Sequence, residues 1–161
     1  LWRRRSRWFA VLDCALPFGY VVDGGYFEDF SNYEKKLKAE LKKDGCNRKA
    51  AILLARLYAE LQKSRDKAIQ VLDGFIKAKL ANGAKPDSDV ADAYWNIANY
   101  FEEEYRESGN ADATLRTKAI EAAGRSIAIV PGYLKNLWED DDFKDLRESE
   151  EAKKKLPPYQ G

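Results

Sequence analysis

The residues able to do chemistry in this chain are mostly carboxylates, and the question they pose is whether any two can work as a pair. Glu102, Glu103 and Glu104 are consecutive. On a helix each points about 100° away from the last, so they cannot act as one acid–base pair. Asp140, Asp141 and Asp142 present the charge to attract a hard cation, but a calcium loop needs alternating ligands, a central glycine and a distal glutamate. A run of this kind more commonly starts a helix, where acids oppose the positive end of the dipole. The 161 residues contain no histidine, which removes the commonest general base and the commonest zinc ligand together. Cys14 and Cys46 lie far apart without partner ligands. A disulfide and two separate thiols both fit them, and neither sets a compartment. No glycine-rich phosphate loop, nucleophile elbow or cysteine–histidine arrangement is present. These residues predict a non-catalytic protein without cofactor or metal.

The length suits one domain with a real core. A formal net charge of +1 argues against a broad nucleic-acid footprint. Charge is uneven, with Arg3, Arg4, Arg5 and Arg7 at the start and acids crowding the stretch from Glu139 to Glu151. Starting at Leu1 and lacking methionine, the chain reads as a processed product or a fragment.

The stretch Asp89 to Pro131 predicts the central elements. Tyr94, Ile97, Ala98 and Phe101 fall at i, i+3, i+4 and i+7, on one face of a helix. Ala119, Ala123, Ser126 and Ile127 repeat that spacing in a second helix, and their small size lets a neighbour come close. Before this pair, Ser31 to Glu34 has the form of a capping box, opening a helix with Tyr33, Leu37 and Leu41 that Gly45 closes. Asn47 is placed to cap a second helix that is apolar around most of its circumference, hence the buried one. Ser64 opens a third, with Ala68, Ile69, Leu72, Phe75, Ile76 and Leu80 as its core face, and Asn82-Gly83 ends it. Gly74 in its middle costs about 1 kcal/mol relative to alanine unless close packing requires it. Asp87, Ser88 or Asp89 caps the central stretch. After Pro131 short helices carry Tyr133, Leu134, Leu137 and Trp138, then Phe143 and Leu146. A last turn or two runs from Ser149 to Leu156, stopped by Pro157-Pro158.

Residues 1–26 differ from the rest. RRRSR precedes an apolar run from Trp8 to Val22 that is short of the roughly 20 residues needed to span a bilayer as a helix and contains Asp13 and Pro17. Three readings stand: an arm docked on the domain or on a neighbouring subunit, an interfacial or truncated membrane anchor, and a remnant of a targeting signal. Arg3, Arg4, Arg5, Trp8, Phe9, Leu12 and Phe18 are the docking residues under the first two. The organisation predicted is an N-terminal arm (1–26), an all-α domain (27–156) and a tail (157–161).

The two helix pairs share a weak internal similarity. Each has a first helix of the form x-x-[LI]-A-x-x-[YF] and a second containing Lys-Ala-Ile, at a period of about 40 residues. Tyr94, Ile97, Ala98 and Phe101, with Ala119, Ser126 and Pro131, resemble the tetratricopeptide repeat pattern. Leu54, Ala55, Tyr58 and Ala68 match it in the first unit. About nine extra residues separate the helices of the second unit, between Glu104 and Thr117, which lengthens either its loop or its helices. The resemblance covers about residues 48–156. It implies a stack of antiparallel helix pairs that binds a peptide or other protein subunits along the face of its first helices. Carried over by position, the groove residues are Arg56, Trp95, Asn99, Glu102 and Glu103, each with a solvated or self-packed face as the alternative. Asn96 and Asn99 fall where a carboxylate-clamping subgroup places asparagines, but the accompanying lysine is missing. Trp95 points about 100° from Tyr94. Unless a further helix covers it, it is an anchor for a partner or a contact for the N-terminal arm. The function expected is a scaffold or accessory subunit of a larger complex. A membrane-associated accessory protein held by residues 1–22 is the alternative.

Overall fold

The computed structural model describes residues 27–159. Arg3, Arg4, Arg5, Trp8, Phe9, Leu12, Phe18 and Cys14 lie outside the described residues, so the arm and the cysteine pairing are not placed. Among the described residues the chain is all-helical, without a strand. Helix α1 (Phe27–Lys43) is followed by α2 (Arg48–Arg56), which continues through a π-helical turn, Leu57–Leu61, and then by α3 (Arg65–Lys79). A 3-10 turn at Ala81–Gly83 leads to the long helices α4 (Ser88–Glu107) and α5 (Ala113–Ile129). Three short helices finish the chain: α6 (Tyr133–Glu139), α7 (Lys144–Glu148) after a 3-10 turn at Asp141–Phe143, and α8 (Glu150–Lys155).

Side-chain caps set several of the helix starts. The Asn47 side chain accepts the Ala50 amide at 3.0 Å, Asp87 accepts that of Val90 at 3.1 Å, and the Ser149 hydroxyl accepts that of Ala152 at 3.2 Å. Each satisfies a donor that the first turn of a helix leaves without an intrahelical partner. Asn82 and Gly83 adopt positive φ and turn the chain out of α3, as their types allow. The expected capping box at Ser31 is corrected: Ser31 lies inside α1, Phe27–Lys43, and does not open it. Glu34 is engaged elsewhere, accepting the Tyr58 hydroxyl at 2.7 Å and pairing with Lys38 at 2.6 Å. Lys38 and Tyr58 hold its carboxyl below the usual range. The nine extra residues of the second pair go largely into its helices, since only Ser108–Asp112 separates a 20-residue α4 from a 17-residue α5.

Packing follows the apolar pattern. Ala50 to Ala55 are six consecutive buried residues, as a helix apolar on all sides requires. Among the described elements, α4 and α5 pack against each other most extensively. Ala91, Ala98, Ala119, Ala123 and Ser126 are fully buried, and the Ser126 hydroxyl donates to the Ala91 carbonyl at 2.9 Å. That bond to a neighbouring helix's backbone exists because no larger side chain intervenes. Ile97 and Ala98 are buried, while Tyr94 and Phe101 are partly buried against the core and lie beneath Arg125 and Lys118 at 5.5 and 5.4 Å.

Gly74 is exposed, and a Cβ built on it meets nothing within 4 Å. Close packing therefore does not require it. Gly74→Ala is expected to stabilise the fold by roughly 0.5–1 kcal/mol, read as a raised urea midpoint with unchanged m-value. A lowered midpoint would contradict this.

Candidate functional site

Asp92, Asn96, Asn99 and Glu103 succeed one another at i, i+4, i+7 and i+11 on α4, which sets them on one stripe, and all four are half-buried. On one side of the stripe lie α2 and α3, contributing Arg48, Arg56 and Arg65. On the other lie α6 and the turn after it.

Each member of the stripe is held in place. Asp92 accepts Arg48 Nε at 3.1 Å and also a bond from Arg48 Nη2. The Tyr133 hydroxyl donates to its other oxygen, so one carboxylate ties α2, α4 and α6. Burial, first, and the bond to Asp92, second, push the Tyr133 phenol well above its ordinary range. Asn96 and Asn99 donate their side-chain amides to the carbonyls of Asp92 (2.7 Å) and Trp95 (2.9 Å), one turn back on the same helix. Glu103 accepts Arg65 Nε at 3.1 Å, and the same guanidinium grips both oxygens of Glu107 at 2.6 Å. That fork-to-fork pairing fixes orientation, though with Glu107 largely exposed it contributes little stability. Arg56 pairs with Glu60 at 3.4 Å at the edge of the π-helical turn. Tyr100 is buried beside this group, and burial raises its phenol, helped by the charges of Glu60 and Glu103.

Of the five residues expected along a groove, Arg56, Asn99 and Glu103 are half-buried in this region. Trp95 and Glu102 are not on an open face. Trp95 is 5% exposed, with its ring 4.9 Å from Tyr133 and 4.8 Å from Phe143. A further stretch of the same chain covers it, which is the condition under which the sequence calls for neither a partner nor the arm against this ring. Glu102 is 1% exposed, with Oε2 3.2 Å from Arg116 Nε. Neither of its oxygens accepts a well-formed hydrogen bond. Removal from water raises its carboxyl to about 7, against the opposing pull of Arg116 and Arg106. Arg116 lies over the Tyr105 ring at 4.0 Å and donates through Nη1 to the Asp145 carbonyl at 2.6 Å.

These partners are distant in sequence (44 residues for Arg48–Asp92, 41 for Tyr133–Asp92), and no local pattern announces them. Asp140, in the triple-aspartate run, is buried and caps the next turn by accepting the Asp142 amide at 2.9 Å. Burial raises its carboxyl. Among the described residues no group of three or more His, Cys, Asp or Glu is arranged to hold a metal ion. A cavity of about 210 Å³ lies under the C-terminal helices, between Leu137, Trp138, Leu156 and Tyr159. Its polar neighbour Arg147 is committed to the carbonyls of Asp140 and Leu137 at 2.6 and 3.3 Å. Among the described residues no helix is long and apolar enough to cross a membrane. No protein-family model, curated protein or solved structure matches the chain.

Proposed function

We propose that the chain is a non-catalytic scaffold or accessory subunit, built as a tetratricopeptide-like stack, that holds other protein subunits along the face of α2 and α4. The observation supporting this reading is the polar stripe of α4. Asp92 and Glu103 are held by neighbours from α2, α3 and α6, and Asn96 and Asn99 by carbonyls of α4 itself, so that the four present a half-buried surface of amides and carboxylates in fixed positions. Preorganised side chains favour recognition, because less rotamer freedom is lost on binding.

A photo-crosslinking side chain placed at Asn99, compared with one at the exposed Gln70 of α3, tests the proposal in the native assembly. Crosslinks to another subunit from position 99 and none from position 70 are the expected result. The reverse pattern would move the binding surface off α4.

A further inference from the structure

The three C-terminal helices are 7, 5 and 6 residues long, too short to persist unless packed. Their hold on α4 and α5 mixes apolar and polar contacts. Phe143 and Tyr133 lie on Trp95, Leu156 reaches to within 3.4 Å of a Cβ position at Gly124, and the Thr117 hydroxyl meets Glu151 at 3.0 Å. At the centre is Glu102, an acid only 1% exposed. Its counter-ion, Arg116, is bound in turn to the backbone of α7 through the Asp145 carbonyl.

We propose that Glu102 and Arg116 form a proton-controlled latch: with Glu102 neutral, α6–α8 stay closed over Trp95, and its ionisation loosens them.

The argument rests on where the carboxyl sits. A carboxylate excluded from water is favoured only if donors surround it, and both Glu102 oxygens lack a well-formed bond. The charges facing it are few. Arg116 comes from α5. Arg106 comes from α4 itself and is drawn away toward Asp142 of the 3-10 turn at 3.7 Å. Asp145 of α7 opposes ionisation, and Tyr105 meets the Arg116 guanidinium with its ring. The closed form therefore binds the proton more tightly than the open form does. A group whose pKa is higher in the closed state supports closure fully at low pH, and that support is lost as pH rises through the closed-state value. Opening would uncover Trp95 and Glu102 beside the polar stripe, so the latch would govern how much of the α4 face a partner can reach. That consequence rests on the scaffold reading; the opening itself does not.

Hydrogen exchange of the full chain between about pH 5 and pH 9, corrected for intrinsic rates, tests it. The opening constant for α6–α8 is expected to rise up to about tenfold per pH unit between about pH 5 and neutrality, where opening releases one proton, and to level off above it, where the closed form is ionised too. In Glu102→Gln, which keeps the shape without the charge, the profile should be flat. An equal slope in Glu102→Gln, or a flat profile in the unaltered chain, would overturn the proposal. Should that variant not fold, carbon-13 titration of the Glu102 carboxyl in the unaltered chain decides. A midpoint near 7 upholds the latch, and one below about 5.5 sinks it. Because exchange requires no partner, loss of the latch and loss of the scaffold reading give separate results.

Discussion

Replacing Phe143 by alanine is expected to cost about 4 kcal/mol, the largest effect of any single truncation in the C-terminal helices. Its ring is wholly buried and lies 4.8 Å from Trp95 at a tilt of 50°. Removing it loses the transfer energy of a phenyl group and leaves a cavity against a rigid indole, a combination that typically costs about 3–5 kcal/mol, with the aromatic contact included. Helices this short persist only while packed. The loss should therefore appear first as detachment of α6–α8 and only later as melting of the α2–α5 core. Urea unfolding followed by exchange of the α6–α8 amides and by far-ultraviolet circular dichroism would show the two steps separating. A loss below about 1 kcal/mol would mean that Trp95 is supported by other means.

Arg116→Met is expected to cost about 3 kcal/mol near pH 8 and clearly less near pH 6. Methionine retains packing over the Tyr105 ring, but the charge facing Glu102 and the bond to the Asp145 carbonyl both disappear. At pH 8 the variant must keep an uncompensated buried carboxylate or bind a proton from solution. At pH 6, below the value of about 7 reached by Glu102, the acid is already mostly neutral and less is lost. Adding Glu102→Gln to Arg116→Met should recover part of the deficit at pH 8, because the pair is coupled. Equal losses at both pH values would show that Arg116 acts through the Asp145 carbonyl and its ring contact alone.

The parts of this fold that could be read along the chain are those decided within one turn. Asn47, Asp87 and Ser149 cap helices because the oxygen and the amide it satisfies are at most three residues apart. The run Ala50–Ala55 was recognisable as a buried helix because no polar side chain interrupts it. Ser31 looked like a cap by the same local rule, yet Glu34 found stronger partners in Lys38 and Tyr58, and tertiary contacts overrode the motif. The π-helical turn at Leu57–Leu61 has no signature in residue type. Helical spacing puts Trp95 and Glu102 on α4 but does not give their surroundings. Which elements cover that side depends on where α6 and α7 return, and spacing within α4 carries no information about it. The α4 stripe is half legible: the repeat pattern sets Asn99 and Glu103 on it, while nothing in spacing pairs it with Arg48 and Arg65, which flank and bind it.

Asp92 has a mechanical consequence. Its two oxygens are shared between a guanidinium from α2 and a phenol from α6, so the carboxylate behaves as a splice joining members that have little direct contact with each other. Tension applied to one member reaches the other through this single carboxylate. A force pulling Tyr133 outward would leave Arg48 holding Asp92 and Asp89 alone, and the first helices would register the departure of the last ones through this carboxylate.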